Sequence, residues 1–188
     1  MELALSNTLL PEDVPHLVEV AYTPQGEQAV VRFELPSVDV IPKVESNTYV
    51  ATTGTLREKK RAAAQVAQLY RSVVSQITLL YMRDLFESDQ EVNNVELGGH
   101  VHFVNPATGQ PEYPCLISIA VDRARYMGLN LRDVQPDVCL RHLNALVSRH
   151  PHLVEPVTPV RDFDLAPTHS SKAWMSLRAS ILDPISPE

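Results

Sequence analysis

Between Thr55 and Ser88 the chain carries neither proline nor glycine, and its apolar residues recur at Val66, Leu69/Tyr70, Val73, Ile77, Leu80/Tyr81 and Leu85. That three-to-four spacing marks one face of a helix. The stripe widens after Val73 with Val74, Leu79, Met82 and Phe86, which predicts burial of the second half on more than one side. Thr55 and Glu58 fit a capping box, so the helix is predicted to start at Thr55. At 1.5 Å per residue it would span roughly 45–50 Å.

Elsewhere the period is two. Leu17–Tyr22 and Gln28–Leu35, joined by Thr23-Pro24-Gln25-Gly26-Glu27, read as a hairpin. Val31, Phe33 and Leu35 alternate with Arg32 and Glu34, which gives that strand one wet face. Thr48–Thr53 predicts a short third strand leading into the helix. Val95–Val104 predicts a strand whose Gly98-Gly99 pair implies a bulge or a close backbone approach. Asn105-Pro106-Ala107-Thr108-Gly109 is turn chemistry, and the apolar return run Tyr113–Val121 predicts a strand central in a sheet. Asp122 is placed to cap a helical turn over Arg123–Met127. A second helix is predicted over Asp133–Arg149, with Pro136 and Asp137 in its first turn. Its core stripe would be Val138, Cys139, Leu140, Leu143, Leu146 and Val147. Val157–Phe163, flanked by prolines, predicts an edge strand.

The order β-β-(β)-α-β-β-α-β defines an α+β fold: a mostly antiparallel sheet of hairpins packed against one long helix and a second shorter one. Residues 1–16 read as an N-terminal arm, 17–165 as a single domain and 166–188 as a C-terminal tail or linker.

Composition narrows the class. With 188 residues, 44% of them apolar, the chain is long enough for one sizeable core. No apolar run reaches the length of a membrane span, and the N-terminus lacks a basic region, so a cytoplasmic chain without a membrane partner is expected. Cys115 and Cys139 lie in apolar settings and are expected to be buried, reduced thiols. The net charge of −7 is uneven: residues 1–56 carry Arg32 and Lys43 against eight acids. This acidity argues against a nucleic-acid-binding face in that third, and the middle of the chain is where a basic patch is expected.

The sequence contains no GxGxxG, no GxxxxGK[ST], no GxSxG and no HExxH. No catalytic residue, cofactor or metal is therefore expected. Glu58-x-Lys60 matches the tail of the PD-(D/E)xK nuclease pattern, but falls in a predicted helical turn with no metal-binding Asp upstream, so capping is the preferred role for Glu58. His100-x-His102 and His150-x-His152 lack the third and fourth ligands of a zinc site. Asp162-x-Asp164 reads as surface. An enzymatic alternative would assemble a site from scattered groups such as Glu96, His100 and His102. The cluster Arg57, Lys59, Lys60 and Arg61 says more. In the first turn of a helix, where the dipole disfavours cations, these residues either pair with acids of residues 1–56 or face an anion such as phosphate. They are the candidate anion-binding residues.

Several strings occur together: Asn105-Pro106-Ala107-Thr108-Gly109 with Pro114-Cys115-Leu116-Ile117-Ser118, the run Pro136-Asp137-Val138-Cys139-Leu140-Arg141-His142-Leu143-Asn144-Ala145-Leu146-Val147-Ser148, and Pro159-Val160-Arg161-Asp162-Phe163-Asp164. Upstream, Glu34-Leu35-Pro36, Val40-Ile41-Pro42, Leu69-Tyr70 and Phe86-Glu87 continue the series. In this order they resemble the non-catalytic region that precedes the nuclease domain in bacterial restriction-system proteins of the Mrr type, over about residues 28–165. The resemblance implies a part in prokaryotic genome defence, with the nuclease chemistry in a separate PD-(D/E)xK domain or subunit and no catalytic residue here. The function expected is a non-enzymatic recognition or assembly module, a homo-oligomer, with nucleic acid as a partner the basic cluster would serve. The alternative is a purely structural homo-oligomerisation domain.

Overall fold

The computed structural model describes residues 15, 17–23, 27–52 and 54–160. Its strands are β1 (Val18–Thr23), β2 (Gln28–Leu35), β3 (Val44–Val50), β4 (Thr55–Lys60), β5 (Asn94–Val101), β6 (Phe103–Val104), β7 (Pro111–Glu112), β8 (Cys115–Asp122) and β9 (Leu146–Val147). Its helices are α1 (Ala63–Ser88), α2 (Arg123–Met127) and α3 (Pro136–His142). A five-stranded sheet runs in the order β1-β2-β5-β8-β9, antiparallel except where β2 meets β5. This is the α+β arrangement that the pattern predicts.

The period-two residues face one core. Val31, Phe33 and Leu35 of β2, Val95, Leu97 and Val101 of β5, and Ile117, Ile119 and Val121 of β8 are buried with Val74, Ile77, Tyr81, Met82, Leu85 and Phe86 of α1. Phe33 and Tyr81 stack at a tilt, their centroids 4.8 Å apart. Both roles of the glycine pair are realised. The β5–β8 register shifts between Gly99 and His100, and a Cβ on Gly99 would stand 2.6 Å from Ile117 Cγ2 and 2.8 Å from Phe33 Cζ. In the turn after β6, Asn105 Oδ1 accepts from Ala107 N at 2.9 Å, and Gly109 takes φ 67°. Asp122 caps α2, accepting from Arg125 N at 2.8 Å. Both cysteines are buried, and the Cys115 thiol donates to Ile117 O at 3.2 Å.

Four predicted elements differ. The third strand is Val44–Val50 and not Thr48–Thr53, its extent being set by pairing with Thr55–Lys60. The long helix begins at Ala63 and not at Thr55, because Thr55–Lys60 pairs antiparallel with Val44–Val50 as β4. The expected Thr55–Glu58 capping box is not formed: the N-cap is Ala62, which has no side-chain acceptor, and only the reverse bond is made, Gln65 Oε1 accepting from Ala62 N at 3.2 Å. The second helix ends at His142, since Asn144 turns left-handed at φ 62°. Asn is one of the few residues that does so at low cost. The chain then re-enters the sheet, Val147 opposite Ile117 and Leu146 opposite Ser118, so Val138 and Leu146 are each 47% exposed and leave the expected core stripe. Finally, Val157–Val160 is not a strand but runs beside β8: Val157 N donates to Cys115 O at 2.8 Å and Val160 N to Ser118 Oγ at 2.9 Å. The rest of that predicted strand, the arm apart from Pro15 and the tail lie outside the described residues.

One contact has no counterpart in the sequence reading. The Arg123 guanidinium donates to Phe86 O and Val92 O, each at 2.8 Å, and to Asp89 O, while lying 4.9 Å from the centre of the Phe86 ring. It satisfies carbonyls at the negative end of α1 and ties them to the start of α2.

Two substitutions test this packing. Gly99→Ala forces a methyl into filled space and should cost about 1–3 kcal/mol by denaturant titration, whereas Gly98→Ala, facing only the His100 ring at 3.3 Å, should cost less. Arg123→Met should lose about 2–4 kcal/mol, since charged hydrogen bonds and buried carbonyls are both sacrificed. A fully stable Arg123→Met protein would show that α1 ends without this clamp.

Candidate functional site

Strands β3 and β4 form a two-stranded ribbon outside the main sheet. Its reversal uses Gly54 at φ 63°, a left-handed position that favours glycine. Every position of β4 is exposed. The register pairs Ser46 with Lys59, Thr48 with Arg57, Asn47 with Glu58 and Tyr49 with Leu56. Alternation therefore puts Arg57 and Lys59 on one face with Ser46 and Thr48. Leu56, Glu58 and Lys60 share the other face with Asn47 and Tyr49.

Arg57, Lys59 and Lys60 are thus set on a strand and not in a helical turn, which corrects the reason first given for an anion there. Arg61, just beyond the strand, directly precedes Ala62, the N-cap of α1. One acid from residues 1–56 does meet the cluster. Lys59 Nζ stands 2.8 Å from Glu45 Oε2, and Gln65 Nε2 of α1 donates to Glu45 Oε1 at 3.3 Å. These bonds, Lys59 first and Gln65 next, hold the Glu45 carboxyl below its usual range. Arg61 Nε donates to Pro42 O at 3.0 Å. The ribbon is thereby fastened at its base to the first turn of α1. Among the described residues neither Arg57 nor Lys60 is in an ion pair.

A strand placement also changes the Glu58-x-Lys60 comparison. The two side chains do share a strand face, as the nuclease pattern requires, but the residue opposite Glu58 is Asn47 and no acid completes a pair. Among the described residues no group of three His, Cys, Asp or Glu is arranged to hold a metal.

The second polar region is the sheet face opposite α1. Arg32 Nη1 and Glu19 Oε2 are 3.7 Å apart, and Gln28 Nε2 donates to Glu96 Oε1. His100 Nδ1 lies 2.9 Å from Tyr113 O; a carbonyl only accepts, so Nδ1 carries the proton in that bond. A shallow cleft of about 180 Å³ opens beside His100, Glu34 and Tyr113. Glu96 and His100 share a face of β5 and line one small pocket with Arg32 and Ser118, the His100 ring lying over Gly98 between them. Glu96 is engaged by Gln28, His100 by Tyr113 O, and His102 packs on the Tyr113 ring at 5.0 Å. His150 and His152 meet edge to face at 6.0 Å. Asp162 and Asp164 lie outside the described residues.

No protein family, curated protein or solved structure matches the chain. The Mrr-type resemblance accordingly stands on the quoted strings alone. Among the described residues no helix is long and apolar enough to cross a membrane.

The Glu45 tie predicts a local acid response. A carboxyl lowered in the folded state contributes above its unfolded value, about 4.3, and loses that contribution as pH falls through the folded value. Amide resonances of Ser46 and Lys59 should therefore shift together on acidification only below the ordinary carboxylate range, where the Glu45 carboxyl takes up its proton. Glu45→Gln should abolish this step; its persistence would assign the response to another acid.

Proposed function

We propose that this chain is a non-enzymatic recognition and assembly module of a prokaryotic restriction-like defence system, acting with a nuclease domain or subunit outside it. We further propose that the β3–β4 ribbon makes its contact with nucleic acid. The restriction context rests on the sequence resemblance. The observation supporting the contact is β4 itself: Arg57, Lys59 and Lys60 on a strand exposed at all six positions, with Arg61 next in line. Cations on an exposed strand can meet phosphates without disturbing the core, and each neutralised phosphate releases condensed counterions. The chain carries −7 overall, so such contact is confined to the ribbon and is salt-sensitive. One observation favours homo-oligomerisation as the second reading: Tyr49 and Leu56, cross-strand partners, are 64% and 69% exposed.

Titration of the purified chain with duplex DNA over a range of salt concentrations tests the proposal. Binding should weaken with salt, the slope of log K against log salt being about −0.9 per phosphate contacted. The double variant Arg57→Glu, Lys60→Glu should flatten that slope by at least one contact. Salt-independent association, or a folded double variant that binds as the parent does, would overturn the ribbon as the contact. A concentration-dependent dimer abolished by Tyr49→Ser would favour the second reading.

A further inference from the structure

The two faces of the ribbon differ in chemistry, and from that difference we infer that the ribbon engages B-form duplex DNA by setting its Arg57 face into the major groove. The inference rests on the reading that the ribbon contacts nucleic acid. The Arg57 face presents Arg57 opposite Thr48 and Lys59 opposite Ser46, with no large apolar side chain among those positions; the acid that meets it, Glu45 at the base of the ribbon, is paired with Lys59. The opposite face carries Glu58 and Lys60 together with the exposed Tyr49–Leu56 pair. A polyanion would meet a carboxylate there, and two apolar groups with nothing to hydrogen-bond.

Dimensions agree with this docking. Strands about 4.8 Å apart, with side chains on one face, fit a groove about 12 Å wide and about 8.5 Å deep. Among the described residues the ribbon has no third strand to widen it, and every position of β4 is exposed. The Arg57 face also carries groups suited to base edges: a guanidinium can bridge guanine O6 and N7, and hydroxyls such as those of Thr48 and Ser46 can pair with either donors or acceptors. Lys59 is different, being held by Glu45 at the base of the ribbon. It positions the strand, and Arg57, at mid-strand, is the group presented to the DNA. An A-form RNA duplex is excluded as the ligand, because its major groove is too narrow for side chains to read.

The test compares parent, Arg57→Glu and Lys60→Glu on three probes at low salt. These are a DNA duplex, an RNA duplex of the same sequence, and the DNA duplex with glucosylated hydroxymethylcytosine filling its major groove. The parent should prefer the plain DNA duplex, Arg57→Glu should lose about tenfold or more in affinity, and Lys60→Glu about twofold or less. Equal losses from the two variants, or undiminished binding to RNA or to glucosylated DNA, would overturn groove insertion while leaving a phosphate contact by the ribbon intact. Failure of the parent to bind any of the three probes would overturn both. An unchanged thermal midpoint identifies variants whose fold is intact. If Arg57→Glu shifts it, Arg57→Gln takes its place with the same outcomes.

Discussion

Strands β2 and β5 lie side by side and parallel from Gln28 opposite Asn94 to Leu35 opposite Val101. Two parallel neighbours cannot be joined by a tight turn, so the chain must leave one end of β2 and return to the other before β5 can start. The distance to recover is about 26 Å at 3.3 Å per residue. Helix α1, 26 residues long, spans about 39 Å at 1.5 Å per residue and makes that return. In doing so it covers the sheet face that bears Phe33, Leu97 and Ile117. The ribbon belongs to the same excursion, lying between β2 and α1. It is left outside the sheet because β2 already has β1 on one side and β5 on the other. The exposure of β4 is thus a consequence of how the sheet is connected.

Because α1 closes the crossover, the contacts that fix it fix everything else. Near its start the Tyr70 hydroxyl donates to Pro36 O at 2.7 Å, joining the helix to the chain leaving β2. Halfway along, Tyr126 donates to Leu79 O at 2.9 Å, and at the far end Arg123 gathers three carbonyls. Burial pushes the Tyr70 and Tyr126 phenols up, and Tyr81 up to about 12, so all three stay protonated across the neutral range. The Glu45–Gln65 bond then transfers that placement to the ribbon. The ribbon is thereby tied at its base to the first turn of α1.

Much of this was legible in the sequence where the deciding signal is local. The Pro-Gly connection announced β1–β2, the unbroken apolar run announced β8, and Asp122 announced the cap of α2. The glycine pair announced a close approach, although only the structure says that Ile117 and Phe33 fill it. Where the deciding partner is remote, the sequence misled. Thr55–Lys60 has no apolar periodicity of either kind, and Glu58 three residues after Thr55 imitates a capping box. The cross-strand pairing with Val44–Val50 settles its conformation. Arg123 was invisible because Val92 and Phe86 are 31 and 37 positions away. Within Pro136–Ser148 the apolar spacing suits a helix throughout, and the left-handed Asn144 alone interrupts it. The candidate cations were identifiable by type; their faces were not.

Moving those cations from a helix end to a strand changes what they can recognise. A helix N-terminus concentrates its field within one turn and suits a single phosphate. A strand spreads its side chains: successive residues on one face are about 6.8 Å apart, twice the 3.4 Å spacing of charges along one strand of a duplex. Such a row fits a polymer better than a point anion. Electrostatic reach supports the same conclusion. At physiological salt the Debye length is about 8 Å, so an approaching phosphate responds to the charges of the ribbon and hardly to the chain's distant acids. Along the ribbon that local balance is set by Arg57 at mid-strand and Lys60 at the base against Glu58, because Glu45 has already taken up Lys59. The same acid that weakens the cluster's charge ties the base of the ribbon to α1, so orientation is gained at the expense of one cation.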